Sequence, residues 1–357
     1  MVLPRLFAGD EVLGFVARHR RADIDAAMTR FDLAGLQPHV LPLPRPILYD
    51  AWHYLAGPPL TLGTPALASA DVVHAPSVAV PPRGRAPLVV TVHDAAPELF
   101  PDAFPRRGLR FHRAGLAAAA RRADLVVTVS QAAADEIAGH SAIRPERIRV
   151  VYNGVDPVTV PDERRQSVIR AAGLADRPYV LWVGSLEPRK RLGTLVAAMA
   201  TLHRRGLRAR LVLVGYEGWL GKGLVAAADR SELGADLIER GPVPDEELWA
   251  LYAGAAVFAF PSVHEGFGLP VLEAMTQGAP VVCSDLAVFR EVAGDAAVRV
   301  ATGDVGAWVD AIGGLLADPE AARRFGEAGR AYAALWTVER SVGNTRAVYE
   351  EVLGRGR

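Results

Sequence analysis

Short, continuously apolar runs separated by longer alanine-rich stretches limit the possible folds of this chain more than any other feature. The runs are rich in valine and leucine, which is typical of parallel strands covered on both faces. They occupy residues 71–74, 88–92, 125–130 and 148–152, and then 179–183, 210–214, 237–240, 256–260, 281–283 and 296–300. Strands that alternate with helices in this way predict a doubly wound α/β fold.

The runs form two series, and 357 residues are enough for two domains that each bury a core. A polar stretch follows residues 153–157 (NGVDP) and separates the series. We predict an N-terminal Rossmann-like domain over 1–157, a second one over 158–336 and a C-terminal helix over 337–357. For that helix, a return to the N-terminal domain is one alternative. Two such domains would face a cleft, because these folds bind ligands at the carboxyl ends of their strands.

The first 36 residues lack the strand and glycine-rich turn with which a doubly wound domain usually opens. We therefore expect the first strand of the N-terminal domain only near residue 71. This expectation leads to the hypothesis that Met1 is not the natural start, or that the gene has lost its first strand and loop.

Composition excludes several classes of protein. The formal net charge is zero, which argues against a nucleic-acid-binding protein that works through a broad basic field. The single cysteine, Cys283, excludes an internal disulfide framework and lies in an apolar run. No apolar stretch is long enough to span a bilayer, and Asp10 and Glu11 interrupt any signal-peptide core. The expected location is the cytoplasm.

The strongest motif covers residues 264–275, HEGFGLPVLEAM, between a predicted strand and a predicted helix. Its glycines allow close approach to a ligand, and amides at a helix start can hold an anion. Glu265 would lie in the loop and Glu273 about two turns along the helix. Each carboxylate could accept hydrogen bonds from sugar hydroxyls, one from a transferred sugar and one from a ribose. The structural alternative is a turn followed by an acidic residue near a helix start.

A second motif, VGSLEPRKR at residues 183–191, directly follows a predicted strand. Gly184 allows a tight turn, and Arg189 and Lys190 could face a diphosphate. Lysine is rare here, since all but two of the 40 basic residues are arginines. The alternative is a solvated basic turn.

A third motif, TVHD at residues 91–94, ends a strand of the N-terminal domain. His93 would therefore lie at the carboxyl edge of a sheet, where ligands bind. A structural histidine is the alternative.

These motifs resemble those of glycosyltransferase family 4. The family's Glu-x7-Glu signature matches Glu265 and Glu273, and its basic diphosphate-binding pair matches Arg189 and Lys190. Its strand-end histidine matches His93. Residues 153–156 (NGVD), 241–248 (GPVPDEEL) and 284–295 also follow the family pattern. The match is close from about residue 71 to the C-terminus and poor before it.

The resemblance implies a GT-B fold of two Rossmann-like domains and a retaining, metal-independent hexosyltransferase. The donor would be a nucleotide-diphosphate sugar, acting as co-substrate with no other cofactor. The acceptor would be a glycan or a lipid-linked molecule of a cell-envelope polysaccharide, and the sugar mannose or another hexose. The alternative is a pseudoenzyme that binds a sugar nucleotide but has an incomplete acceptor domain, because the missing opening strand normally carries a glycine-rich loop near the acceptor.

The resemblance also implies the roles of individual residues. Arg189 and Lys190 would stabilise the charge that develops on the departing diphosphate. His93 would contact the donor sugar, and Glu265 would orient it. With these four catalytic residues, the donor-binding residues would be Gly184, Ser185, Val243, Gly266, Phe267, Gly268, Leu269 and Glu273.

Two further charged features remain. The only D-x-D sequence, Asp23 to Asp25, lies beside two arginines and is interpreted as a solvated charged patch, so we predict no metal site. Residues 104–122 combine six arginines with apolar residues at helical spacing. This stretch is either a solvated helix face or a peripheral contact with an anionic membrane or a lipid-diphosphate acceptor.

Overall fold

The computed structural model describes residues 9–30, 33, 36–62, 65–216 and 227–355. Both Met1 and Lys222 lie outside these ranges. The chain divides into two compact units, of which the first contains Met1–Gly154 and Val338–Arg357 and the second contains Val155–Thr337. Within the described residues, no helix is both long and apolar enough to cross a membrane.

The N-terminal part of the first unit forms a separate two-stranded parallel sheet of β1 (Phe15–Arg18) and β2 (His39–Pro44). Helix α1 (Arg21–Arg30) connects the strands. Helix α2 (Arg45–Asp50) follows β2 and continues into a π-helical turn at Ala51–Leu55. A small apolar core of Ala17, Leu41, Leu48, Trp52 and Leu67 holds this part together.

The expectation that the first strand of the N-terminal domain lies near residue 71 was wrong, because β1 already begins at Phe15. Strand β1 is only four residues long and ends in an arginine, so its apolar pattern is too short to distinguish it from a loop. The connection from β1 to α1 consists of His19 and Arg20, and no glycine-rich loop follows the strand there.

The main sheet of the first unit is parallel, with the sequential order β3-β4-β5-β6. Its strands are β3 (Val73–Ala75), β4 (Leu88–Thr91), β5 (Leu125–Thr128) and β6 (Ile148–Val150). The connecting helices are α3 (Ala96–Leu99), α4 (Arg106–Arg122) and α5 (Gln131–His140). Every residue of β4 and β5 is buried, which explains why both strands read as continuous apolar runs.

The second unit contains a six-stranded parallel sheet with the order β12-β11-β10-β7-β8-β9. Its strands are β7 (Tyr179–Val183), β8 (Arg210–Val214), β9 (Leu237–Arg240), β10 (Val257–Phe260), β11 (Val281–Ser284) and β12 (Val298–Val300). Its described helices are α6 (Asp162–Ala171), α7 (Leu192–Arg204), α8 (Ala227–Leu233), α9 (Asp245–Gly254), α10 (Leu269–Gln277), α11 (Ala287–Val292), α12 (Val305–Ala317) and α13 (Pro319–Ala333). This is a doubly wound sheet, since the strand order reverses between β7 and β10.

The C-terminal helix α14 (Val338–Gly354) belongs to the first unit. Its Val348 and Val352 pack with Val89, Leu125 and Val127 of the four-stranded sheet. A separate core on strands β3, β4 and β5 includes side chains from α4 and α5. The sheet of the first unit is therefore covered on both faces, as its apolar strands require.

Candidate functional site

The two strongest motifs follow two neighbouring strands of the six-stranded sheet. Strands β7 and β10 pair in parallel, so their carboxyl ends meet at one edge. Residues 184–190 follow β7, and residues 261–268 follow β10. Strands β8 and β9 lie on one side of β7 in the sheet, whereas β10, which follows them in the chain, lies on its other side. Ligands of doubly wound sheets bind at such a reversal of strand order.

The two loops meet through a cluster of charged side chains. Lys190 Nζ donates a hydrogen bond of 2.6 Å to Glu265 Oε1, and Arg189 Nη1 lies 3.4 Å from Glu265 Oε2. Arg189 Nη1 also donates to the His264 carbonyl oxygen at 3.2 Å. The backbone joins as well, since the amide of Val263 donates to the carbonyl of Arg189 at 2.9 Å. The structure thus brings together three of the four residues predicted to be catalytic.

Glu187 is a further member of this cluster to which the sequence assigned no role. Its carboxylate accepts a hydrogen bond of 2.6 Å from Ser185 Oγ and one of 2.8 Å from Arg189 Nε. Glu187 is buried. Glu187 therefore fixes the direction of the Arg189 guanidinium. Ser185, which was predicted to bind the sugar nucleotide, here donates its hydroxyl hydrogen to Glu187. The sequence signal that could have identified Glu187 is its place within the VGSLEPRKR motif.

The cluster is electrostatically balanced, with two cations facing two carboxylates. The side chains of Lys190 and Glu265 are 7% and 9% exposed, so little solvent screens them. Burial alone would raise the pKa of Glu265, but the charges of Lys190 and Arg189 outweigh it and hold the pKa below its ordinary value. Glu265 is therefore ionised at neutral pH. The Lys190 ammonium also lies 4.9 Å from the ring centroid of Phe260, a favourable cation–π distance.

Backbone geometry explains how the loop after β7 reaches this position. The segment Pro188–Lys190 forms a 3-10 turn, and Arg191 adopts a left-handed conformation with φ of 50°. Gly184 continues the pairing with β8 by donating to the Val214 carbonyl at 3.0 Å. At Gly215, a Cβ atom would lie only 1.7 Å from the carbonyl oxygen of Gly184. A glycine is thus required for the two loops to lie side by side.

The loop after β10 ends at Gly268, which directly precedes helix α10. Gly268 has a φ of 92°, and a Cβ atom there would lie 2.4 Å from the ring of Phe289. Gly266 is buried, and the Phe267 side chain packs edge-on against Trp336 with ring centroids 6.1 Å apart. The side chain of Phe267 is thus committed to the core, so only its backbone is suited to bind an anion. The next residue, Leu269, is exposed.

Glu273 lies on α10 and pairs with a residue that the sequence did not identify. Tyr252 on α9 donates a hydrogen bond of 2.8 Å from its hydroxyl to Glu273 Oε2. Burial raises the pKa of Glu273, the Tyr252 hydrogen bond counteracts that rise and the charge of Asp245 adds to it. Tyr252 itself is fully buried, packing against Phe258 with ring centroids 5.5 Å apart. No pattern in the sequence joins a tyrosine on one helix to a glutamate on the next.

The remaining predicted residues lie elsewhere. Val243 is half-buried in the loop between β9 and α9. His93 is exposed in the first unit, two residues after the end of β4, as its position at a strand end predicted. The two carboxylates of the D-x-D sequence lie on α1, where Asp23 pairs with Arg20 and Asp25 with Arg21.

The second unit is thus a doubly wound α/β domain with a balanced charge cluster at its topological switch point, the place where proteins of this class bind ligands. Residues 165–332 match the profile of "Glycosyl transferases group 1", and residues 8–159 match that of "Glycosyltransferase Family 4". The chain belongs to glycosyltransferase family 4, the group 1 glycosyltransferases.

Two solved structures and one curated relative illustrate the similarity. Over 239 residues the chain is 34% identical to the O-antigen chain mannosyltransferase B of Escherichia coli, a match that covers 66% of this chain and 62% of the relative. The chain thus matches less than two thirds of that relative's length. Sucrose-phosphate synthase from Thermosynechococcus elongatus superposes with a TM-score of 0.69 at 21% identity, covering 97% of this chain and 96% of that one. Anabaena Alr3699/HepE, in complex with UDP and glucose, gives 0.74 at 18% identity, covering 94% and 91%. These likenesses show the GT-B fold.

Proposed function

We propose that this protein is a retaining, metal-independent hexosyltransferase that transfers a sugar from a nucleotide-diphosphate donor to a glycan or lipid-linked acceptor. The observation that carries the proposal is the cluster of Arg189, Lys190 and Glu265 at the switch point of the second sheet. The name of the Escherichia coli relative makes mannose the first sugar to test.

Electrostatic stabilisation of the leaving group is the main role of the cluster. As the glycosidic bond to the donor breaks, negative charge develops on the departing diphosphate. Two cations that are already held in place need no reorganisation at that moment, and in many enzymes such preorganised charge contributes more to the rate than any other effect. Lys190 has three ammonium hydrogens and donates one of them to Glu265; in this proposal another is donated to a phosphate oxygen. In this proposal the basic pair supplies the positive charge at the diphosphate without a metal ion.

The carboxylates act on the hydroxyl groups of the donor in this proposal. Glu265 is ionised beside the two cations, which suits it to accept from hydroxyls of the transferred sugar. Glu273, one turn into α10, would accept from the ribose. His93 is proposed to contact the sugar, a role that rests on the resemblance of its motif.

The first test compares a double variant, which removes both charges of the buried Lys190–Glu265 pair, with a single variant, which removes only one of them. Removing one partner of a buried ion pair leaves an uncompensated charge, which costs about 3 to 5 kcal/mol. The double change Lys190→Met with Glu265→Gln removes both charges and avoids that penalty. It should weaken binding of a nucleoside diphosphate by about 10- to 100-fold, the loss expected for a charge-assisted contact. The single change Glu265→Gln keeps the lysine, so it should retain nucleoside diphosphate binding and lose turnover.

Calorimetry with GDP, UDP, ADP and dTDP measures binding, and release of nucleoside diphosphate from the corresponding sugar nucleotides measures turnover, both in excess EDTA. The control Arg204→Gln changes an exposed arginine on α7 and should behave as the unchanged protein. Equal affinity in the double variant would contradict the role of the cluster. A loss of turnover in EDTA that magnesium restores would contradict metal independence.

A sugar-nucleotide-binding pseudoenzyme is the second candidate. It is favoured by one observation, that β1 and β2 form their own sheet instead of extending the four-stranded one. The same assays separate the two, because a pseudoenzyme would bind a nucleoside diphosphate but release none from its sugar nucleotide in the presence of acceptors.

A further inference from the structure

One exposed surface of the first unit carries large apolar side chains. Helix α2 and the π-helical turn after it bury Leu48 and Trp52 on one side. Their other side presents Ile47 and Tyr54, which are 57% and 56% exposed, and Leu55, which is 80% exposed. Groups of exposed apolar side chains mark interaction surfaces more often than single ones do.

The first half of helix α4 adjoins these apolar residues. Arg106, Arg110 and Arg113 share one helix face, since they are spaced by four and three residues. Together with Tyr54 and Leu109 they line a pocket of about 440 Å³. Tyr54 therefore joins the exposed apolar residues to the basic face of α4. We call this surface the arginine–apolar patch; it comprises Ile47, Tyr54, Leu55, Arg106 and Arg110, together with Arg107 in the first turn of the same helix.

The charges of this surface are only partly neutralised. Arg110 lies 3.9 Å from Asp50, and Arg113 donates to both oxygens of Glu98 at 3.1 and 3.2 Å. In the part of the chain that the structure describes, neither Arg106 nor Arg107 forms an ion pair. The patch therefore keeps a net positive charge.

The start of α4 is electrostatically unusual. Arg106 and Arg107 occupy its first turn directly after Pro105, with no acidic residue and no side-chain cap there. Positive side chains in a first turn oppose the helix dipole, which favours anions at that end. These two arginines thus do not stabilise the helix that carries them. An anionic surface facing the turn would be attracted by both the arginines and the helix amides.

We infer that the arginine–apolar patch docks the protein on an anionic lipid bilayer. The arginines face lipid phosphates, while Leu55, Tyr54 and Ile47 enter the boundary between headgroups and acyl chains. A small soluble anion would satisfy the arginines but leave the three apolar side chains in water. The combination of both kinds of side chain on one surface favours the bilayer. The inference goes beyond the proposed transfer reaction and does not depend on it.

Vesicle binding by the full chain tests this inference without any assay of turnover. The probes are vesicles of phosphatidylcholine alone and vesicles of equal parts phosphatidylcholine and phosphatidylglycerol, sedimented at low and high salt. The unchanged protein should partition to the anionic vesicles, and less so at high salt. The double change Arg106→Gln with Arg107→Gln should reduce partitioning roughly 25-fold, about fivefold for each basic residue. Its thermal midpoint should not fall, because both arginines oppose the helix dipole.

The apolar side chains form the second arm of the test. The double change Tyr54→Ser with Leu55→Ser should reduce partitioning about tenfold or more. Matched controls are Arg204→Gln with Arg208→Gln, which changes two exposed arginines elsewhere, and Leu335→Ser, which changes a leucine of 55% exposure. Both controls should bind as the unchanged protein does.

Three outcomes would overturn the inference. The first is no partitioning of the unchanged protein to anionic vesicles at low salt. The second is partitioning that survives the arginine changes. The third is binding to dextran sulfate without binding to vesicles, which would assign the surface to an anionic polysaccharide.

Discussion

Glu187 orients one cation of the charge cluster and Tyr252 orients Glu273 on α10, although neither carries a role in the family motif. Each fixes one functional side chain: Glu187 accepts from Arg189 Nε, and Tyr252 donates to Glu273 Oε2. Functional side chains keep a productive direction only when a second residue holds them. In the proposed site, Arg189 and Glu273 therefore each depend on a second residue for their direction.

At this scale, Tyr252→Phe should weaken and shift the binding of a nucleoside diphosphate. Loss of one hydrogen bond to a charged group predicts a decrease of about 10-fold in affinity at neutral pH. The Tyr252 hydroxyl lowers the pKa of Glu273, so its removal raises that pKa further. In the proposed function, Glu273 accepts from the ribose as an ionised carboxylate, so binding should weaken as the pH falls through this pKa. The loss should therefore occur at a higher pH in the variant, which calorimetry across the acidic range measures.

The matched control is Tyr179→Phe, which removes the hydroxyl of another buried tyrosine. That hydroxyl donates to the Leu251 carbonyl at 2.7 Å, and within the described ranges it forms no hydrogen bond to a carboxylate. The control should lose some stability but keep the pH at which binding fails. An identical pH profile in both variants would show that Tyr252 does not act through Glu273.

Among the elements, α14 is tied to the first unit by a polar contact as well as by its valines. His74 on β3 bonds to the Tyr349 hydroxyl at 2.6 Å with one ring nitrogen and to Thr91 Oγ1 at 2.8 Å with the other. Burial, assisted by the nearby charge of His93, lowers the pKa of His74 from 6.5 to about 4. His74 is therefore neutral in the folded protein and joins α14 to the strands β3 and β4.

This neutral histidine makes the stability of the first unit depend on pH. Between about pH 4 and 6.5 the unfolded chain binds a proton at His74 that the folded chain does not. The stability should be complete above 6.5 and should fall as the pH decreases to about 4, by roughly 2 to 3 kcal/mol. In His74→Gln the free energy of unfolding should lose this decrease between pH 6.5 and 4, which chemical denaturation at several pH values measures. The control His19→Gln removes an exposed histidine of the same unit, and an unchanged slope in His74→Gln would argue against this account.

For the whole molecule, the two units have separate cores, although the chain passes from the first unit to the second and back. Val348 of α14 packs on the four-stranded sheet, whereas Val309 of α12 is buried in the second unit. Removing two methyl groups from a core costs about 1 to 3 kcal/mol.

Val348→Ala should therefore destabilise the first unit alone. Hydrogen exchange followed by mass spectrometry should become faster in β4, β5 and β6 and stay unchanged in β7 and β10. Val309→Ala is the matched substitution and should give the reverse pattern. Faster exchange in both sheets for either variant would mean that the whole chain unfolds as one cooperative unit.

Local patterns in the sequence were enough to predict the ten strands of the two main sheets and the positions of the motifs. Continuous burial of strands such as β5 leaves a local apolar pattern, and the sharp turn at Gly268 leaves a local glycine. Both signals come from physical demands on adjacent residues. The resemblance of the two motifs also implied that Lys190 and Glu265 belong to one site, and the structure places their charged atoms 2.6 Å apart.

Features that depend on residues far apart in the chain needed the folded structure. The bond between His74 and Tyr349 joins positions 275 residues apart, and the one between Tyr252 and Glu273 joins two helices. The separate sheet of β1 and β2 likewise depends on a small core collected from several segments. Such contacts form because packing brings the elements together, and packing leaves no local pattern at either partner. The partners of Arg189 and Glu273 therefore became visible only in the folded chain.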